Sequence, residues 1–269
     1  MATELLRRDQ PFVLRQSRPD LADDAAFLEF RQAHADLRIE SDEAGTLTIM
    51  SPSGWRSANR NAHITAQLLA WARRDGSGEV SDSSGLFRLR DKARRTPDAA
   101  WTRRDRLAQV SPEQQEGILP IAPDFVIELR SPTDQVASLL AKMDEYLAAG
   151  VCLGWLIDPV EQRTYELRPG QAVVVQRAPR LLRGDPELLG WSSTSTLFGD
   201  RGARARSRAE GGAHGGGQRA ATSSEAAMAP TAVVRPMRKR DSSSVQLWRP
   251  PWGSRNSPYG GCRVSDFRV

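Results

Sequence analysis

The chain has 269 residues, with 38 Lys and Arg, 33 Asp and Glu, and a formal net charge of +5. That length allows one large domain, or one domain with an appendage. No apolar segment has the roughly 18 residues that a membrane-spanning helix needs, and the N-terminus lacks the apolar core of a signal peptide. We therefore expect neither export nor a membrane partner.

The positive charge is concentrated in the last quarter of the chain. Residues 200–269 hold 13 basic and 5 acidic residues, a net of +8, whereas residues 1–199 hold 25 and 28, a net of −3. The basic composition is therefore no sign by itself that the folded part binds nucleic acid. Cys152 and Cys262 show no CxxC or Cys/His spacing, which predicts neither a disulfide framework nor a zinc site and favours the cytoplasm.

The apolar pattern predicts alternating strands and helices up to residue 199. In chain order these are a helix over 25–35, a hairpin of 37–40 and 46–50, a helix over 58–74, strands at 78–82, 86–89, 96–102 and 123–129, a helix over 134–149, a strand at 151–157, and a hairpin of 164–167 and 172–175. Gly76 and Gly150 are placed to end the two longer helices. This order predicts an α/β fold with a mixed sheet, flanking helices and hairpins towards both ends.

The flanking segments have a different composition. Residues 1–24 are interpreted as an N-terminal extension of a domain that spans 25–199. Residues 200–269 are rich in Arg, Gly, Ser and Pro with few periodic apolar positions, which predicts a disordered tail. Because the composition changes abruptly, translation out of frame is an equal alternative for this tail.

Two acidic residues stand out because each lies in or beside an apolar strand. Asp98 follows Pro97, and Glu128 lies within the strand at 123–129. A buried carboxylate is costly unless it is paired or binds a metal, so two of them on neighbouring strands predict a divalent-cation site. Asp124 is a competitor, but it lies about 13 Å along the strand from Glu128 and is better placed to start the strand or cap a turn.

Lys142 is the candidate cation. It lies beside the apolar stripe of the helix over 134–149, so its stem can be buried while its ammonium group reaches a strand end. The chain has 3 lysines and 35 arginines, which favours a specific need for an amine at this position. Taken alone, Lys142 is more typical of a solvated helix residue, and a buried ion-pair partner without a metal is the alternative for Glu128.

A set of short motifs, in order over about 170 residues, resembles the Uma-two family of restriction endonucleases. The motifs are Arg38-Ile39-Glu40, Ser51-Pro52, residues 59–64, Pro97-Asp98, Pro123-Asp124, residues 125–132, Lys142-Met143 and residues 154–159. The resemblance implies a restriction-endonuclease-like core of the PD-(D/E)XK type. It also implies Mg²⁺, or Mn²⁺, as the cofactor and DNA as the substrate.

The resemblance further implies the roles of particular residues. Asp98 and Glu128 are expected to hold the metal, Lys142 to act on the water or the phosphate, and Glu40 to be an additional acid of the catalytic group. The superfamily pattern has lysine two residues after the glutamate, but this chain has Arg130 there. Arg130 can hold a phosphate but cannot serve as a base.

The DNA-binding residues are expected in a locally basic stretch around Asp98. This hypothesis names Arg88, Arg90, Arg94, Arg95, Arg130 and, facing the site from its helix, Asn61. An Arg-rich solvated face without a binding role is the alternative for residues 88–106. Whether the protein is a monomer or a homodimer is left open.

Two function classes therefore remain. The first is an active metal-dependent endonuclease that hydrolyses DNA phosphodiester bonds. The second is an inactive nuclease-fold protein that binds DNA or a protein partner, because a fold does not determine a function. The sequence contains no nucleophile-elbow, P-loop or dinucleotide-binding motif that would favour another class.

Overall fold

The described part of the chain is built from two large β-sheets, a separate two-stranded sheet and the helices that pack against them. The computed structural model describes residues 13–50, 52–90, 92–194 and 246–248. The helices are α1 (Asp24–Ala33), α2 (Trp55–Asp75), α3 (Arg104–Leu107), α4 (Pro112–Gln115) and α5 (Val136–Ala149). The strands are β1 (Val13–Ser17), β2 (Arg38–Ser41), β3 (Thr46–Met50), β4 (Gly78–Asp82), β5 (Phe87–Arg88), β6 (Arg94–Arg95), β7 (Ala99–Arg103), β8 (Phe125–Leu129), β9 (Leu153–Asp158), β10 (Arg163–Leu167), β11 (Val173–Arg177), β12 (Leu181–Arg183), β13 (Ser192–Thr194) and β14 (Gln246–Trp248).

The larger sheet is mixed, as the sequence predicts. Its order is β14-β11-β10-β9-β8-β7-β4. Its neighbouring strands are antiparallel except β8 and β9, which are parallel and are joined through α5. Every residue of β8 and of β9 is buried, as expected of central strands covered on both faces.

The two faces of this sheet carry separate apolar clusters. On one face α2 packs through Ile64, Leu68 and Trp71 against side chains of β7, β8 and β9. On the other face α5 packs through Leu140, Met143 and Tyr146. The sheet is therefore sandwiched between its two long helices, and β8 lies in the middle of this arrangement.

The position of α5 depends on two glycines. Gly150 adopts a left-handed conformation, with φ of 109°, and ends the helix where the sequence predicts. Gly154 on β9 lies so close to α5 that a Cβ atom there would come within 2.3 Å of Cε of Met143. Because Met143 is next to Lys142 in the chain, this close approach also sets the depth at which Lys142 meets the sheet.

The smaller sheet has the order β1-β3-β2-β6-β5 and packs against α1. Asp23 caps α1 by accepting hydrogen bonds from the amides of Ala25 and Ala26. The β2–β3 turn is closed by Asp42, whose carboxylate accepts from the amides of Ala44 and Thr46. This hairpin matches the sequence prediction, and it places Glu40 on an inner strand.

Several elements were not predicted. In the stretch interpreted as an N-terminal extension, Val13–Ser17 pairs with β3, while residues 1–12 lie outside the described part. The hairpin of β10 and β11 is followed by a second one, β12 with β13. Gln246–Trp248 pairs with β11, so a strand is found there within the predicted disordered tail; the rest of that tail lies outside the described residues.

Two further findings concern the general predictions. Cys152 is buried and its sulfur is disulfide-bonded, which the lack of a CxxC or Cys/His spacing did not indicate. Of the helices in the described ranges, none combines the length and the hydropathy needed to cross a lipid bilayer.

Candidate active site

Asp98 and Glu128 meet across two neighbouring strands. Ala99 is paired with Ile127 in the antiparallel register of β7 and β8, so Asp98, one residue earlier, lies opposite Glu128. Directly opposed residues of this kind point to the same face, with Cβ atoms about 5 Å apart. The amide of Leu129 donates a 2.7 Å hydrogen bond to Oδ2 of Asp98, which fixes this relationship.

Asp98 is held from three directions. In addition to the Leu129 amide on Oδ2, its Oδ1 atom accepts from Nη1 of Arg38 at 2.7 Å and from Nδ2 of Asn61 at 3.2 Å. Asn61 comes from α2 and Arg38 from β2, so the smaller sheet and one covering helix both contribute. The prediction that Asn61 faces the site is consistent with this contact.

Glu128 is held from α5. Its Oε1 atom lies 2.8 Å from Nζ of Lys142 and accepts a 2.9 Å hydrogen bond from the hydroxyl of Tyr146. Lys142 and Tyr146 are four residues apart, which puts them on one face of the helix. The ammonium group therefore reaches the strand end from a partly buried stem, in the position that the helical pattern predicts.

Glu40 joins the same cluster from β2. Its Oε1 atom accepts from Nζ of Lys142 at 2.9 Å and from the hydroxyl and amide of Thr96 at 2.8 and 3.0 Å. Arg38 and Arg95 each lie 3.6 Å from its carboxylate. Lys142 is thus shared between Glu40 and Glu128, and the four residues that the sequence analysis proposed as catalytic lie together.

The pKa values of Glu128 and Glu40 are shifted in opposite directions. Burial raises the pKa of Glu128 to about 7; Asp98 and Glu40 act in the same direction, whereas Lys142 and Arg38 oppose it. Burial alone would raise the pKa of Glu40 too, but Lys142, Arg38 and Arg95 outweigh it and hold this pKa at about 2. The protein's cations therefore compensate Glu40 more fully than Glu128.

The predicted DNA-binding arginines lie elsewhere or are already paired. Arg94 and Arg95 are buried, Arg94 against Asp24 at 2.7 Å and Arg95 against Glu145 at 2.9 Å. Arg88 also pairs with Asp24, and it lines a cavity beside the start of α1 together with Arg90.

Arg130 follows β8 directly and pairs with Asp158 at 2.9 Å. For Arg94 and Arg95 the interpretation as a basic surface is therefore wrong. Their side chains are buried, with Arg94 reaching Asp24 on α1 and Arg95 reaching Glu145 on α5.

Three residues at the site were given no role there by the sequence. Arg38 bridges Asp98, Glu40 and Thr96, and Tyr146 contacts Glu128. The spacing of both could have indicated this. Arg38 is two residues before Glu40 on a strand and Tyr146 is four residues after Lys142 on a helix, so each shares a face with a predicted site residue. The third, Arg31 on α1, has no such spacing to a predicted site residue.

A cavity of about 690 Å³ opens onto the cluster between α1 and α2. Its lining includes Asp98, Arg38, Asn61, Arg31 and Ser84, and of these Asp98 is buried. The Oδ1 atom of Asn61 is buried and has no hydrogen-bond partner among the described residues. The carboxylate of Asp98 can therefore be reached through this cavity.

The donor set fits a small hard cation. Nowhere in the described ranges do three His, Cys, Asp or Glu side chains converge on one point, so a metal here would rely on Asp98 and Glu128. Mg²⁺ typically takes one or two protein carboxylates and fills its other positions with water or phosphate oxygens. The raised pKa of Glu128 beside Asp98, and the unpartnered Oδ1 of Asn61, are features that a divalent cation with bound water would relieve.

The fold is that of the restriction-endonuclease-like class of proteins. Residues 24–197 match the Uma-two family (Uma2), described as "Putative restriction endonuclease", and the chain belongs to that family.

A similar solved structure is that of "a putative nuclease belonging to DUF820" from Anabaena variabilis. It shares 22% sequence identity and superimposes with a TM-score of 0.52 over 60% of this chain and 89% of the other. That likeness supports the fold. Among proteins of curated function, no significant match was found.

Proposed function

We propose that the protein is a metal-dependent endonuclease that hydrolyses phosphodiester bonds of DNA. The observation that carries this proposal is the grouping of Asp98, Glu128, Glu40 and Lys142 at one end of β8, next to an open cavity. Membership of a restriction-endonuclease family supports the same conclusion.

Asp98 and Glu128 are the residues that would hold Mg²⁺ or Mn²⁺. A bound ion of this kind lowers the pKa of a coordinated water and neutralises charge on a phosphoryl oxygen. Asp98 is kept ready for this role because the Leu129 amide and Asn61 fix its carboxylate. Tyr146 does the same for Glu128, since its hydroxyl, whose pKa is raised by burial and by Glu128, stays protonated and donates.

Lys142 supplies the positive charge of the protein at the reacting phosphate. Its ammonium group lies between Glu40 and Glu128, so both acids restrict where it points. From there it can donate to an oxygen on which negative charge develops in the transition state. Glu40 acts through Lys142 and Arg38 and is a positioning residue in this proposal.

A second function is favoured by one feature of the same cluster. Asp98 is paired with Arg38, and both Glu40 and Glu128 are paired with Lys142, so the carboxylates have protein partners without any metal. A site of this kind is also what a DNA-binding protein without catalytic activity would contain. The two functions differ in whether DNA is cut when Mg²⁺ or Mn²⁺ is present.

A cleavage assay separates them. Supercoiled plasmid and single-stranded DNA are incubated with the full chain and Mg²⁺ or Mn²⁺, with EDTA as the metal-free control. We expect metal-dependent nicking by the wild type, and its loss in Asp98→Asn, Glu128→Gln and Lys142→Ala with the fold checked by circular dichroism. Activity that survives in all three variants would refute the site, and inactivity of a folded, metal-binding wild type would favour the second function.

A further inference from the structure

The cavity between α1 and α2 contains an arginine that the proposed chemistry leaves unused. Arg31, near the end of α1, lines this cavity of about 690 Å³, as does Asp98. Its guanidinium donates a 3.2 Å hydrogen bond to the carbonyl oxygen of Ser84. That contact leaves most of the five N–H donors of the group directed elsewhere.

The charge of Arg31 is not neutralised within the described part of the chain. Arg38 is paired with Asp98 and Arg95 with Glu145, whereas no carboxylate of the described residues lies within ion-pair distance of Arg31. Burial lowers the pKa of Arg31 and the nearby Arg38 lowers it further, with Glu40 acting in the opposite direction. A half-buried cation next to another cation is costly unless an anion binds there.

We infer that Arg31 binds a phosphate of the DNA next to the one that is cut, and that the strand enters the site through the cavity between α1 and α2. This inference rests on the proposed nuclease function. A planar guanidinium matches a phosphate group, to which it can donate two parallel hydrogen bonds. The inference moves the DNA-binding surface from the stretch around residues 88–95 to the end of α1 and the first part of α2.

The start of α2 extends this surface beyond the cavity. Pro52 and Ala58 line the cavity, and between them Trp55 exposes 77% of its surface. Arg56 and Arg60 lie one turn apart on the same helix. Burial lowers the pKa of Arg60, and the charge of Arg56 lowers it further. Like charges at this spacing destabilise a helix slightly, whereas they favour binding of a polyanion.

The cavity also sets a condition on binding. Its charged lining consists of Arg31 and Arg38 against Asp36, Asp82 and Asp98, within the described residues. The lining therefore carries one more negative charge than positive charges, so the protein alone does not attract a phosphate. A divalent cation on Asp98 reverses the balance, and binding of DNA at Arg31 is therefore expected to require the cation.

The test measures binding of a fluorescein-labelled short DNA, single-stranded and duplex, by fluorescence anisotropy in Ca²⁺ and in EDTA. The variants are Arg31→Ala and Arg31→Lys. The matched control is Arg73→Ala, because Arg73 is exposed in the last turn of α2, outside the cavity lining. Each is titrated at several salt concentrations.

We expect Arg31→Ala to weaken binding in Ca²⁺ by about tenfold and to reduce the slope of log K against log salt by about 1, the effect of losing one phosphate contact. Arg31→Lys should restore the slope, and Arg73→Ala should match the wild type. A merely structural role of Arg31 would leave the slope unchanged, and that outcome overturns the inference. Binding by the wild type with no effect of Arg31→Ala also overturns it but leaves the nuclease proposal standing. No binding by the wild type overturns both.

Discussion

Nζ of Lys142 lies 2.8 Å from Oε1 of Glu128 and 2.9 Å from Oε1 of Glu40, so one ammonium group joins a helix to two different sheets. Glu128 comes from an inner strand of the larger sheet and Glu40 from the middle strand of the smaller one. The cluster therefore depends on how the sheets meet, and Lys142 serves both the fold and the proposed chemistry.

Replacement of Lys142 tests that double role. We expect Lys142→Ala to lower the rate of plasmid nicking by about 100-fold or more, because the phosphate loses its protein cation. It should also lower the free energy of unfolding by about 3–5 kcal/mol, since two buried carboxylates lose a partner. Nicking assays and urea unfolding measure the two effects. Lys92→Ala is the matched control because Lys92 is exposed; equal rates for the two variants would contradict the prediction.

The pKa of Glu128 predicts how stability depends on pH in the absence of metal. Burial raises the folded-state pKa to about 7 from 4.5, so the folded chain binds this proton more tightly than the unfolded chain. The contribution of Glu128 to the free energy of unfolding must then fall as pH rises from about 4.5 to about 7. Glu40, whose folded-state pKa is about 2, affects the pH dependence of stability only below this range.

Urea unfolding in EDTA at about pH 5.5 and about pH 8 measures this effect. We expect the wild type to lose more stability between the two pH values than Glu128→Gln, which has no carboxyl group to titrate there. Equal losses would show that Glu128 does not titrate in this range. Adding Mg²⁺ should stabilise the wild type more at the higher pH, because the cation competes with the proton.

The main elements of the fold could be predicted from the sequence because their patterns are local. The β2–β3 hairpin alternates apolar and polar residues around Gly45, and α2 repeats its apolar residues up to Gly76. The β12–β13 hairpin was missed since its strands have three residues each, too few for a period to show. Trp191, which packs in the core beside that hairpin, is recognisable only once its distant partners are known.

The site, like the fold, contains residues that a local pattern predicts and residues whose position depends on long-range packing. Asp98 and Glu128 were predicted because a carboxylate within an apolar strand is conspicuous wherever the strand lies. The burial of Arg94 and Arg95 could not be predicted, because Arg94 extends to Asp24 on α1 and Arg95 to Glu145 on α5, contacts 70 and 50 residues away in the sequence. Arg31 could not be found, since it reaches the cavity only through the packing of α1.

Trp191 offers a test of the second hairpin. Its ring stacks on Trp155 at 4.8 Å between centroids and meets Phe125 and Trp71 at 5.2 and 6.4 Å. Trp191→Ala should therefore lower the free energy of unfolding by about 3–5 kcal/mol, the range for a large aromatic side chain removed from a core. Urea unfolding measures this, with Trp55→Ala as the control because Trp55 is exposed. A loss as small as the control's would mean that the hairpin does not close this face.

Asp124 is the acid that most closely competes with Asp98 for a role at the metal. It is buried just before β8, where Oδ2 accepts from the amide of Arg103 and Oδ1 pairs with Arg106, both at 2.9 Å. Glu128 is four residues further along, about 13 Å away, so the two carboxylates cannot share an ion.

Asp124→Asn should keep the affinity for Mn²⁺ within about twofold of the wild type, because the ion is held at the other end of the strand. It should lower the melting temperature, since a buried charged contact to Arg106 is lost. In contrast, Asp98→Asn is expected to lose Mn²⁺ binding when this is measured by calorimetry. A loss of Mn²⁺ binding in Asp124→Asn, with Asp98→Asn unaffected, would move the metal to the start of β8 and exclude the site formed with Lys142.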